Sequence, residues 1–129
     1  MVCPYCGNER LKTTNSRKTK RNNQVWRRRQ CDSCGRLFST REYIDLSDIT
    51  VVHPSSEVER YSRAKLTSSL LKACDHRIEQ ADDVFALVDT IEKQLIGNEE
   101  LKTEYIKKAC SDVLSKFDNV ASVKYSSYY

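Results

Sequence analysis

Four of the six cysteines stand as Cys3-Pro4-Tyr5-Cys6 and Cys31-Asp32-Ser33-Cys34. A Cys-x-x-Cys turn presents two sulfurs from one tight bend, and two such turns complete a tetrahedral thiolate site with no position left open for water. That chemistry is structural zinc, one Zn2+ per chain, with Cys3, Cys6, Cys31 and Cys34 as ligands. Zinc binding would then be folding energy for the head, on the order of 10 kcal/mol. A redox dithiol and an iron-sulfur cluster use the same residues, but neither accounts for the basic insert between the pairs. Cys74 and Cys110 fall within apolar helical stripes and read as small buried hydrophobes. His53 and His76 have no ligand spacing to the cysteines.

The insert ends in Arg27-Arg28-Arg29, which runs straight into Cys31. Residues 1–45 hold eleven Lys or Arg against Glu9, Asp32, Glu42 and Asp45, a balance of +7, while the remainder carries −3 within the total of +4. Positive charge gathered on so small a segment is the electrostatic footprint of nucleic-acid binding. In an extended strand Arg27 and Arg29 point to one side and Arg28 to the other. Trp26 reads as packing for a small core. There is no nucleophile elbow and no glycine-rich phosphate loop, so the chain is not read as an enzyme. The N-terminus lacks a signal-peptide pattern and no stretch reaches the length of a membrane span. A cytoplasmic protein with no membrane partner is expected, and a reducing compartment favours metal thiolates over disulfides.

The elements that must position these residues define an α+β chain: a small N-terminal zinc ribbon followed by a mainly helical domain with a β-hairpin. The expected domains are 1–45 and 48–126, joined by a short connection at 44–47. Residues 1–45 are too few for an ordinary apolar core. Short strands join the two knuckles, with Asn15 to Gln24 as a solvated turn and Leu37 to Thr40 as the strand leaving the second knuckle. Ile49 to Val52 and Glu57 to Tyr61 read as a hairpin around Pro54-Ser55-Ser56. Three helices follow. The first is capped by Ser62 and runs to about His76, the second spans about Gln80 to Ile96 and stops at Gly97, and the third is capped by Thr103 and runs to Phe117. Past Asn119 no element is assigned, although Val123 to Tyr125 is β-prone.

These residues, once placed, resemble the bacterial NrdR family, repressors of ribonucleotide reductase genes. The match lies in Cys3-Pro4-x-Cys6, Ser16-Arg17, Val25-x-Arg27-Arg28-Arg29-x-Cys31-x-x-Cys34-Gly35 and Phe38-Ser39-Thr40-x-Glu42. The second half resembles the family's ATP-cone in Val51-Val52, Tyr61, Lys65-Leu66, Ala73-Cys74 and Val120-Ala121-x-Val123-Lys124-Tyr125. The resemblance implies a zinc-dependent homo-oligomer that binds double-stranded operator DNA through Arg17 and Arg27 to Arg29. It also implies a cone that senses ATP or dATP, with Val51 and Lys65 as nucleotide contacts, and that regulates assembly. Where the family typically has a Lys-Arg pair, an Asp and a Gly after Val51-Val52, this chain has His53-Pro54-Ser55-Ser56. Two positive charges and a flexible glycine are thereby lost from the phosphate turn. The other reading of the same residues is a protein-interaction module whose zinc ribbon docks onto a larger complex and whose oligomerisation domain has lost nucleotide sensing.

Overall fold

The computed structural model describes residues 1–19 and 24–129. The chain divides into two compact units, 1–44 and 45–129.

The first unit is a three-stranded antiparallel sheet, β1 (Leu11–Thr19), β2 (Gln24–Cys31) and β3 (Leu37–Glu42), in the order β1-β2-β3. The expectation of a turn from Asn15 to Gln24 is corrected at both of its ends. Asn15 to Thr19 continue β1 and pair with Gln24 to Arg28 of β2; the part of that turn at 20–23 lies outside the described residues. No hydrophobic period marks this stretch because the backbone ladder holds it, and its exposed side chains pack little. The register slips once, between Thr13 and Asn15. There Thr14 Oγ1 donates to the Arg28 carbonyl at 3.1 Å, so a side chain occupies an acceptor at the bulge.

The second unit opens with a small sheet in the order β5-β4-β6, formed by β4 (Thr50–Val52), β5 (Val58–Arg60) and β6 (Glu100–Lys102). β4 pairs antiparallel with β5 and parallel with β6. The hairpin turn closes with the Ser56 N–H on the His53 carbonyl and the His53 N–H on the Glu57 carbonyl, both at 2.9 Å, and Ser56 takes φ +70°. β6 has no counterpart in the sequence reading, since Glu-Leu-Lys offers one apolar residue and its partner lies fifty positions away.

Four helices complete the unit: α1 (Arg63–Ala73), α2 (Gln80–Leu95), α3 (Thr103–Phe117) and α4 (Asn119–Tyr128). Ser62 Oγ accepts the Lys65 N–H and caps α1, as expected. That helix stops at Ala73, a few residues short of His76. In α2 the whole stripe Val84, Leu87, Val88, Ile91 and Leu95 is buried, each such side chain contributing roughly 1.5–3 kcal/mol. Gly97, at φ +94°, turns the chain away after α2. Thr103 is the first residue inside α3, preceded by Lys102 in extended conformation, and it caps nothing. Its Oγ1 is buried without a hydrogen-bond partner among the described residues.

The β tendency of Val123 to Tyr125 is overridden, because that stretch lies in α4. Asp118 Oδ1 accepts the N–H groups of Val120 and Ala121, and Ala121 and Tyr125, four apart on one helix face, enter the core. Asp118 also anchors the helix from outside, accepting from His76 at 3.0 Å and Arg77 at 2.8 Å through Oδ2. Those hydrogen bonds, His76 first, hold its carboxyl well below the usual carboxylate range. Between α1 and α2, Arg63 bonds Asp89 at 2.8 Å and Glu92, the two buried acids of the core. Cys74 and Cys110 are fully buried, and desolvation pushes both thiols up. Among the described residues no helix is long and apolar enough to cross a membrane.

Candidate metal centre and nucleic-acid interface

The two Cys-x-x-Cys turns are built alike. In each, the first cysteine's carbonyl accepts from the glycine four residues on, Gly7 at 2.9 Å and Gly35 at 3.0 Å. In each, the first cysteine's N–H donates five residues ahead, Cys3 to Asn8 and Cys31 to Arg36. Gly7 and Gly35 both take positive φ, +78° and +73°, which a side chain would disfavour. A further bond from the Asp32 N–H to the Arg10 carbonyl ties the second turn to the first.

This construction brings the four sulfurs within 4.8 Å of one another. Cys3 Sγ lies 3.7 Å from Cys34 Sγ, and Cys6 Sγ lies 3.5 Å from Cys31 Sγ. Four thiolates at a zinc–sulfur distance of about 2.3 Å in tetrahedral array stand about 3.8 Å apart, so the cluster fits zinc. Backbone donors already point at the sulfurs: the Tyr5 N–H at Cys3 Sγ, and the Ser33 and Cys34 N–H groups at Cys31 Sγ, all at 3.4 Å. Such donors favour thiolate over thiol. Cys3 and Cys31 are buried, Cys6 and Cys34 exposed, so the site sits at the surface with one ligand of each pair inward.

The arginines occupy the strand that ends in Cys31. Arg27 lies opposite Ser16 and Thr40, Arg28 opposite Asn15 and Ser39, and Arg29 opposite Thr13 and Phe38. Arg27 donates to Ser16 Oγ at 3.2 Å and stands 3.7 Å from Glu42. Arg29 Nε donates to Thr40 Oγ1 at 3.1 Å, and Arg28 donates to Ser39 Oγ at 3.0 Å. Arg17, opposite Trp26, holds its guanidinium 6.0 Å from the indole centroid. Arg27 and Arg29 therefore share one face of the sheet, while Arg28 shares the other with Arg17 and Trp26.

In the second unit, Val51 and Lys65 line one cavity of about 170 Å³, together with Glu59, Tyr61, Thr103 and Tyr125. Val51 is buried as the central residue of β4. Lys65 Nζ donates to Glu59 Oε2 at 2.6 Å, and His53 Nε2 lies 3.1 Å from the other oxygen of the same carboxylate. The two neighbours, Lys65 first, hold the Glu59 carboxyl below its ordinary value. Glu59 has only two signals in the sequence, the pairing of β5 with β4 and its position six residues before Lys65. Thr103 and Tyr125 reach the cavity from α3 and α4, which no local pattern connects to β4.

A sheet carrying two glycine-closed cysteine knuckles, followed by an α+β unit, defines a zinc-ribbon protein with a second, mainly helical domain. Residues 1–42 match the family described as transcriptional repressor NrdR-like, N-terminal domain. Over its whole length the chain is 37% identical to the transcriptional repressor NrdR of Lysinibacillus sphaericus, covering 84% of that protein. It is 34% identical to the one from Agathobacter rectalis, covering 87% of it, and 36% identical to the one from Pelotomaculum thermopropionicum, covering 79%. The chain belongs to the NrdR family.

Proposed function

We propose that this chain is a zinc-dependent repressor of transcription that binds double-stranded operator DNA in front of ribonucleotide reductase genes. The observation that carries the reading is the four-sulfur cluster built onto the strand that bears Arg27, Arg28 and Arg29. Cys3, Cys6, Cys31 and Cys34 ligate the zinc, which fixes the end of that strand. Arg17 and Arg27 to Arg29 supply the positive charge for phosphate contact. The relatives named as transcriptional repressors support the regulatory role, and a cytoplasmic setting belongs to the same reading.

The second domain assembles copies of the chain and responds to ATP or dATP in the cavity at Val51 and Lys65. Its nucleotide affinity is weak, because His53-Pro54-Ser55-Ser56 supplies no Lys-Arg pair and Glu59 already occupies the Lys65 ammonium. The specific observation favouring a cone that has lost sensing altogether is this same ion pair.

Binding of zinc-loaded protein to a ribonucleotide reductase promoter fragment, measured against scrambled DNA, tests the repressor reading. Preference for the promoter is expected, and equal retention of both fragments overturns it. Calorimetric titration with ATP and dATP, followed by molecular mass with each, tests the cone. Weak heats with a change of mass are expected; no heat and no change of mass leave an oligomerisation domain without sensing.

A further inference from the structure

We infer that duplex DNA lies against one face of the ribbon sheet, the face carrying Lys12, Arg17, Arg28 and Arg41 around Trp26. The inference rests on the DNA-binding reading above and narrows its contacts to one side, keeping Arg17 and Arg28 as phosphate contacts and leaving Arg27 and Arg29 to hold the strands together. Directly paired residues on neighbouring strands share a face. Lys12 pairs with Gln30, Arg17 with Trp26, Asn15 and Ser39 with Arg28, and Arg41 with Trp26. Gln30, Arg28 and Trp26 alternate along β2, so all these side chains stand on the same side. No strand residue on this face is acidic.

The opposite face carries Lys18, Arg27 and Arg29, and of these the two arginines are already employed, while Lys18 is exposed. Arg27 meets Ser16 and Glu42, and Arg29 meets Thr40. Leu11 and Phe38, both half-buried, lie there beside Cys31 and Arg29. These contacts hold the strands to the metal knuckle, and Glu42 would repel an approaching phosphate.

On the proposed face the cations are presented outward. Lys12 and Arg41 are exposed and engage no hydrogen-bond or ion-pair partner among the described residues. Arg28 uses one donor on Ser39 out of the five a guanidinium carries. The Trp26 ring supports Arg17, so less freedom is lost when that guanidinium meets a phosphate. Arg17 and Arg41 flank Trp26 on one rung, which sets their backbones about 10 Å apart across two strand spacings. That separation is on the scale of a major groove about 12 Å wide, so the two long side chains can reach phosphates on both of its edges.

The test is the salt dependence of binding to the promoter fragment, which counts phosphates neutralised. Arg41→Gln should lower the slope of log K against log salt by about 0.9, and Lys12→Gln with Arg41→Gln by about 1.8. Lys18→Gln, the exposed cation of the other face, should lower it by less than about half as much as Arg41→Gln. All three side chains are exposed, so these variants should keep their zinc, and metal content checks this. The single tryptophan adds an independent readout: iodide quenching of Trp26 should fall when DNA is bound. A Lys18→Gln effect equal to that of Arg41→Gln overturns the assignment. So does an unchanged slope in the double variant, or Trp26 equally quenched in the complex. If wild-type protein binds no duplex at all, the DNA-binding reading itself fails, a result distinct from each of these.

Discussion

Asp118 shows how one carboxylate can serve two structures at once. One oxygen caps α4 and the other accepts from His76 and Arg77. Because its folded pKa is depressed, its charge contributes stability that is fully present above the unfolded value near 4. That contribution is lost as pH falls through the folded value. Asp118→Ala should lower the thermal midpoint by about 5 °C at neutral pH. The difference from wild type should narrow in a titration of stability toward strong acid; a pH-independent gap would mean that capping alone, and not the charge, carries the effect. The residues that do chemistry were the most legible in the sequence. Four cysteines at two-residue spacing need only local turns to converge, so their spacing already announces the cluster, and Gly7 and Gly35 announce the turns. Glu59, which occupies Lys65, was not legible, because only the β4–β5 pairing and the start of α1 bring the two together.

A buried face along its whole length made α2 legible, and the lack of one hid β1. The α2 stripe repeats at helical spacing because that helix faces the core along its length. β1 carries no such stripe, since both of its faces are largely solvated, and a sequence reader sees a polar loop. α4 was hidden for a different reason: its Val and Tyr content favours strand, yet the Asp118 cap and the Ala121–Tyr125 pair make it a helix. At the start of α3, Thr103 brings a hydroxyl into a buried position with no partner among the described residues. Thr103→Val removes that hydroxyl at nearly constant shape, and should stabilise the second unit by about 1 kcal/mol. Chemical denaturation reads this directly, and a destabilised variant would mean that the hydroxyl is hydrogen-bonded in solution.

At the scale of the whole chain, the two units draw their stability from different sources. The first has the sulfur cluster and few buried side chains, whereas the second has a continuous apolar core running from Ile49 to Tyr125. Chelation of zinc should therefore abolish the structure of residues 1–44 while the helical circular dichroism of residues 45–129 persists. A cooperative loss of both signals on adding a strong chelator would show that the units do not fold independently. The basic excess ends close to this division, whereas the paired cysteines end earlier, at Cys34, and Cys74 and Cys110 lie in the second unit.

The parallel pairing of β4 with β6 also has a meaning in time. Val51 meets Leu101, fifty positions further on, only after the stretch between them, α1 and α2 included, has been made. As the chain leaves the ribosome, β4 has β5 beside it at once but waits for its other neighbour until α1 and α2 have been made. The small sheet is thus finished only after both helices, and this non-local closure slows folding relative to a bundle of the same helices. α3, which begins where β6 ends, follows the closing strand without a loop between them.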